Sequence, residues 1–236
     1  MADRFFCPVP PIDGRLTLTG DEARHLARIR RVGVGEVVEA FDGRGAAWRA
    51  EVRAIARDRV DLAVLGPADP GRVAPCELTL ATALPKGERV DWLVEKATEL
   101  GVARLVPLRT GRSVVDPRAG KIDRLRRLVV EAAKQSGRAR LMEIADPLPW
   151  PDLLRRDGSP IRLIAHPGGA PATAWPRAGR ARAAVLAVGP EGGFTDAEVD
   201  AARAAGWLTA GLGATLLRIE TAGLAGSAVV LALAGD

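Results

Sequence analysis

Six apolar residues, Ala183 to Val188, run into Gly189-Pro190-Glu191-Gly192-Gly193-Phe194, and Thr195 then opens a helix-forming stretch from Asp196 to Ala205. An apolar run of that length, bounded by glycine and proline, reads as a strand buried on both faces. Thr195 and Glu198, three residues apart, form a capping box that marks the start of the helix. A buried strand, a glycine turn and a helix N-terminus belong together in an α/β sheet. There the free N–H groups and the positive end of the helix dipole face a ligand crevice. The same turn also serves as an ordinary strand-to-helix connection, and residues elsewhere in the chain must separate the two readings.

From Glu77 onward the readings alternate. Leu78 to Leu84, Ala103 to Leu108, Leu141 to Ala145, Ile161 to Ala165, Ala183 to Val188 and Thr209 to Leu212 read as strands. Lys86 to Leu100, Ile122 to Ser136, Pro151 to Arg156 and Thr221 to Ala234 read as helices, with Gly101 and Gly137 as stops. Such alternation predicts a mostly parallel sheet with helices on both faces. Gly168 to Arg182 reads as a mobile loop or surface crossing. Ahead of Arg72 the pattern differs. Arg15 to Thr19, Glu36 to Phe41, Ala47 to Ile55 and Arg59 to Leu65 are short strands, Asp42-Gly43 is a hairpin signal, and one helix runs from Gly20 to about Arg31 behind a second capping box, Thr19 with Glu22. This pattern predicts a small β-barrel. Gly66 to Pro75 holds three prolines and two glycines, which predicts a linker between a first domain, 1–72, and a second, 76–236.

Three strand ends in the second half carry glycine turns: Ala165-His166-Pro167-Gly168-Gly169, then Gly189 to Thr195, then Leu212-Gly213 through to Thr221. Gathered at one sheet edge, they make a cradle that holds a flat polar cofactor through backbone groups. Glu191 and Glu220 border two of these turns. Each reads equally as a proton acceptor or as a cap. His166, followed by proline, reads as a turn residue. Walker A, first-strand GxGxxG, HExxH and nucleophile-elbow sequences are absent, which argues against P-loop and nicotinamide chemistry. Two histidines and two distant cysteines, Cys7 and Cys76, give no metal-ligand spacing, so no metal is expected and the thiols are read as free.

The formal charge is +5, and its distribution is uneven. Between Arg104 and Arg140 stand eleven Arg and Lys against three acids, Asp116, Asp123 and Glu131. Such a bias predicts a polyanionic partner, most simply a nucleic acid. No apolar run spans a membrane and no leader pattern opens the chain, so a cytoplasmic protein is expected. Thr221 to Ala234 carries no charge. A helix of that kind is buried, either in the core or, as preferred here, against a second copy of the chain.

Taken in order, several segments resemble one family. They are Arg4-Phe5-Phe6; His25-Leu26 with Ile29-Arg30 and Gly35-Glu36; Phe41-Asp42-Gly43; Pro85-Lys86-Gly87; and Glu95 to Val102. Pro107 with Arg112-Ser113 follows, then Glu131-Ala132-Ala133 with Gln135 to Arg138, then Gly189 to Phe194. Last come Leu212-Gly213, Leu217-Arg218 and Glu220-Thr221-Ala222. The chain resembles the bacterial small-subunit (16S) ribosomal RNA uridine-N3 methyltransferases, of the SPOUT (α/β trefoil-knot) class.

The resemblance implies a PUA-like RNA-binding barrel followed by an α/β domain with a deep trefoil knot that binds S-adenosylmethionine and forms a homodimer. It implies a cofactor site of Ala165, His166, Pro167, Val188, Gly189, Pro190, Glu191, Gly192, Gly193, Leu212, Gly213, Leu217, Arg218, Thr221 and Ala222. Arg218, Glu191 and Glu220 are the catalytic candidates. The expected RNA contacts are Arg24, Arg28, Arg30, Arg31, Arg109, Arg112, Lys134 and Arg138, to free rRNA or to the assembled 30S subunit. Thr215 stands where the family usually has arginine and Ile219 where it usually has threonine. Methylation of a ribose 2′-hydroxyl or a guanine by a related enzyme, and a non-catalytic RNA-binding module, are the alternatives.

Overall fold

The computed structural model describes residues 3–114, 119–176 and 182–235. Asp116 and Arg118 of the basic stretch, and 177–181 of the expected surface crossing, lie outside them. Contacts divide the chain into two compact units, Met1–Val73 with Val130–Leu141 and Ala74–Val129 with Met142–Asp236.

The first unit holds β1 (Arg4–Phe6), β2 (Arg15–Thr19), α1 (Gly20–Arg24, continued as a π-helical turn His25–Arg30), β3 (Val37–Phe41), β4 (Ala47–Ile55) and β5 (Arg59–Pro67). The sheet order is β1-β3-β4-β5-β2. β1 runs parallel to β3 and the other pairs are antiparallel. β1 and β2 stand at the two ends of this order, so the barrel is half closed. Alternation along the strands turns Leu16, Leu18, Val38, Ala40, Val52 and Leu62 inward around Phe5 and Leu26.

The expected capping box at Thr19 does not form. Thr19 makes no side-chain cap bond, and the Glu22 carboxylate instead accepts from the Phe6 amide at 2.9 Å and from Lys134 Nζ at 3.0 Å. A carboxylate gains more from a largely buried ammonium and a strand amide than from one exposed helix end.

A second cluster of this unit packs Phe41 and Ala47 on Ala133 and Ala139, with Phe6, Ala68 and Leu141 beside them. The stretch read as a linker takes part in this packing. Gly66 and Pro67 end β5, and the Pro70 carbonyl accepts from the Ala139 amide at 2.9 Å.

The second unit holds β6 (Glu77–Thr82), α2 (Arg89–Leu100), β7 (Arg104–Arg109), α3 (Ala119–Gln135, whose C-terminal end belongs to the first unit), β8 (Glu143–Ile144), β9 (Leu148–Pro149) and α4 (Trp150–Arg156). β10 (Ile161–Ala170), β11 (Ala183–Val188), α5 (Asp196–Ala204), β12 (Leu208–Ala210) and α6 (Ile219–Ala234) complete it. The sheet order is β12-β10-β11-β6-β7-β8, with every pair parallel and β9 added beside β7. The capping box at Thr195 and Glu198 forms with both reciprocal bonds.

α6 lies on β6, β11 and α2. Gly226 allows this close approach: a Cβ there would come within 2.6 Å of Leu186. The opposite row, Thr221, Ala225, Ala228 and Ala232, is exposed and uncharged. No helix among the described residues is long and apolar enough to cross a membrane.

Cys7 and Cys76 are free and buried, one in each unit. Burial is the main force raising both thiol pKa values. At pH 8 both are therefore held as thiols. Their labelling by an aromatic disulfide is expected to be at least ~100-fold slower in the native protein than in urea, since about 2.7 kcal/mol of local stability gives that factor. Labelling of either cysteine at its unfolded rate would refute the burial.

Candidate functional site

The three glycine turns do meet. β12, β10 and β11 are adjacent and parallel, so the turns leaving them share one edge of the sheet. In β10 the pairing with β12 jumps, Ala210 facing both Ala165 and Ala170, so His166, Pro167, Gly168 and Gly169 loop out between them as the first turn. The third turn crosses directly over it. The Gly211 amide donates to the Ala170 carbonyl at 2.8 Å, and a Cβ on Gly211 would sit 2.5 Å from the Gly169 carbonyl oxygen. Only two glycine backbones pass at that distance.

The second turn is closed by the Gly193 amide on the Pro190 carbonyl at 2.8 Å. Val188, Gly189 and Pro190 are buried, while Glu191 and Gly192 are exposed. Phe194 folds back against Gly189 and packs on Trp150, ring centroids 4.9 Å apart. In the third turn Leu212 and Leu217 are half-buried, Gly213 through Leu216 are exposed, and Arg218 is the exposed N-cap of α6. Thr221 is exposed and Ala222 buried in the first turn of α6, where the Ala222 amide donates to the Arg218 carbonyl at 2.8 Å.

Side chains grip the second turn from two directions. Arg112 Nη1 donates to the Gly192 carbonyl at 2.6 Å and to that of Phe194 at 3.4 Å. The Gly111 amide donates to Glu198 Oε1 at 2.7 Å. On the other side Arg89, at the start of α2, lies 3.9 Å from Glu191 and 3.7 Å from Glu220. Glu220 is 5% exposed, and its Oε2 is buried with no hydrogen-bond partner. Arg89 was absent from the sequence-based site. Its partners, Glu191 and Glu220, stand more than a hundred residues away along the chain, and no local spacing reports that.

The expected RNA contacts separate. Arg112 is committed to the second turn, as above. Lys134 does not offer its charge to the surface: its side chain is 7% exposed and its Nζ sits 3.0 Å from both Glu22 and Glu131. Arg24 pairs with Asp21 and Arg30 with Asp3. Arg28, Arg31 and Arg109 are exposed. Arg138 is half-buried, and burial, then the neighbouring Arg140 charge, pull its guanidinium below the ordinary value. The eleven-to-three charge count overstated the free positive charge because the fold brings in carboxylates from outside the stretch. Arg104 meets Glu143 at 3.3 Å and Arg124 meets Asp91 at 2.6 Å, while Arg126 meets Asp146 at 3.9 Å.

No group of three or more His, Cys, Asp or Glu among the described residues is placed to hold a metal ion. The donor set at the sheet edge suits a different kind of ligand. Glycine backbone lets a flat group lie close, and two carboxylates with one unmet acceptor favour a ligand that carries N–H groups and positive charge.

Comparison with known proteins agrees with this geometry. Residues 72–231 match the RNA methyltransferase domain, and residues 18–65 match the RNA methyltransferase PUA domain. The ribosomal RNA small subunit methyltransferase E of Synechocystis is 34% identical over 91% of this chain and 72% of its own length. The protein of that name from Mycobacterium bovis is 32% identical over 92% of this chain and 87% of its own. The crystal structure of the Neisseria gonorrhoeae ribosomal RNA small subunit methyltransferase E bound to S-adenosyl methionine superposes with a TM-score of 0.91, at 29% identity, over 99% of this chain and 98% of that one. A half-barrel of the PUA kind, a parallel sheet with three glycine turns at one edge, and relatives matched over most of their length place the chain in the family of ribosomal RNA small-subunit methyltransferases.

Proposed function

We propose that the protein transfers a methyl group from S-adenosylmethionine to N3 of a uridine in small-subunit ribosomal RNA, in the cytoplasm, as a homodimer. The observation that carries this reading is the meeting of the three turns at the edge formed by β12, β10 and β11, in a chain whose relatives act on that RNA. The same α/β architecture in the Neisseria enzyme holds S-adenosyl methionine. S-adenosylmethionine supplies a methyl group on positively charged sulfur, open to in-line attack.

The turns hold and orient the cofactor through backbone groups, which leaves the side chains at the edge for the base. Uracil N3 carries a proton at neutral pH and must lose it to attack. Glu191, with its side chain 50% exposed on the second turn, is the carboxylate open to a base entering the cleft and accepts that proton. Glu220 is buried and serves the frame of the site. Arg218, exposed at the N-cap of α6, steadies negative charge growing on the uracil oxygens. Arg28, Arg31 and Arg109 are exposed to phosphate, and a polyanion relieves the repulsion of the Arg140 charge on Arg138.

A trefoil knot belongs to this reading. The glycine-on-glycine crossing of the first and third turns supports it. The uncharged outer row of α6, Thr221, Ala225, Ala228 and Ala232, supports a second copy as its cover. The decisive experiment is nucleoside analysis of rRNA and of 30S subunits after incubation with the protein and isotopically labelled S-adenosylmethionine. Labelled 3-methyluridine is the expected product. A 2′-O-methylated nucleoside or a methylguanosine would end the N3 reading, and no labelled nucleoside would end the enzymatic one.

A further inference from the structure

Two of the three turns are joined by a residue that belongs to neither. The second turn follows β11, and the third leads into α6. Arg89 comes from a third place, the start of α2 after β6. β6 is the parallel neighbour of β11, with Thr82 opposite Val188, so the connection from β6 to α2 opens at the same sheet edge. From there one guanidinium reaches two carboxylates with different nitrogens: Nη2 lies 3.9 Å from Glu191 Oε1, and Nη1 lies 3.7 Å from Glu220 Oε1.

The two arms are unequal. Glu220 is nearly sealed from solvent, and Arg89 is the cation that faces it. A carboxylate with so little water must keep its cation, so this arm pins Arg89 to the N-terminus of α6. Glu191 is half exposed on a glycine-rich turn, so this arm restrains the turn rather than burying it. The planar fork of arginine can serve acceptors in two directions at once, whereas a lysine ammonium is a single point charge on a flexible stem.

We propose that Arg89 is a positioning residue that sets the spacing between the second glycine turn and the start of α6, and so the width of the cofactor cleft. The inference rests on the S-adenosylmethionine reading above. Arg112 and Glu198 hold the far side of the same turn. Loss of Arg89 therefore frees one side of the turn and leaves the other in place.

The test is titration calorimetry with S-adenosylhomocysteine on the full-length protein and the variants R89M, R89K, E191Q and R89M/E191Q, with Cys76 labelling as the check that the second unit is folded. R89M is expected to raise the dissociation constant about tenfold or more, and E191Q severalfold. In the double variant E191Q is expected to add nothing, because its arm is already gone. R89K restores the partner of Glu220 and keeps Cys76 protected, yet it falls short of wild-type affinity because one ammonium does not span both carboxylates. If R89M does not fold, E191Q alone decides, since it alters an exposed side chain.

Three results overturn the proposal: wild-type affinity in folded R89M, wild-type affinity in E191Q, or independent multiplication of the two effects. Failure of the wild-type protein to bind S-adenosylhomocysteine would instead remove the cofactor reading and this inference with it. That outcome is distinguished by being seen before any substitution is made.

Discussion

Trp150→Ala is expected to cost the second unit about 3–5 kcal/mol and to weaken cofactor binding at the same time. Trp150 is 1% exposed and is the largest fully buried side chain among the described residues. Its ring packs 4.9 Å from that of Phe194 and 5.3 Å from that of Trp207, and its Nε1 donates to the Glu198 carbonyl at 3.2 Å. Truncation removes the transfer free energy of an indole, leaves a cavity between two rings, and strips a donor from Glu198. Phe194 is the link to the cofactor turn. Its ring lies against Gly189, so closely that a Cβ on that glycine would come within 3.0 Å. With Trp150 gone, Phe194 loses its backing and the second turn loses its fixed shape.

Urea titration with site-specific labelling separates the units. Cys76 is expected to become reactive at a much lower urea concentration, while the midpoint for Cys7 in the first unit moves little. A shift for Cys76 equivalent to less than about 1 kcal/mol would show that the ring cluster is not what supports the turn.

The second large effect belongs to Gly211→Ala. A Cβ at this position would stand 2.5 Å from the Gly169 carbonyl oxygen and 3.1 Å from its carbon. These are backbone atoms in a strand-bordered turn, so no rotamer change relieves the clash. The two segments must part, and the Gly211 to Ala170 hydrogen bond is strained with them. Overpacking usually costs about 1–3 kcal/mol, and a rigid backbone neighbour places this case at or above the upper end. S-adenosylhomocysteine affinity is expected to fall at least about tenfold, because the first and third turns no longer keep their spacing. Gly158→Ala is the control. No atom lies within 4 Å of a Cβ there, so stability and binding should stay at wild-type values. Equal behaviour of the two alanine variants would show that the turns do not depend on the crossing.

Much of the fold was legible because it is written in local patterns. Ala183–Val188 is a strand with the bounds its apolar run predicts, and α5 begins where Thr195 and Glu198 say it should. The convergence of the three turns was also readable, since alternating β and α segments force parallel strands whose turns share an edge. What escaped was long-range pairing. β1 is three residues long and is held by β3 and by Arg4, which packs near Glu39 and over the Phe41 ring. Nothing in Arg4-Phe5-Phe6 alone announces a strand.

Glu22 looks like half of a capping box until Lys134, 112 residues later, arrives beside it. Arg112 and Arg89 fail for the same reason. A sequence counts an arginine as a charge, whereas the fold decides whether that charge faces solvent, a turn carbonyl or a buried carboxylate. Charge runs therefore predict a basic surface only after the acids brought in by the fold have been subtracted.

The first unit is discontinuous, and this has a consequence for how the chain is made. Phe41 and Ala47 find Ala133 and Ala139 only when residues near the middle of the chain have emerged. At about 5–20 residues per second, the ribosome needs on the order of ten seconds to pass Leu141, and for most of that time the strands of the half-barrel wait with one apolar flank bare. Synthesis must carry the chain through β6, α2 and β7 before the unit that began first can finish, so strands of the second unit emerge while the half-barrel is still incomplete.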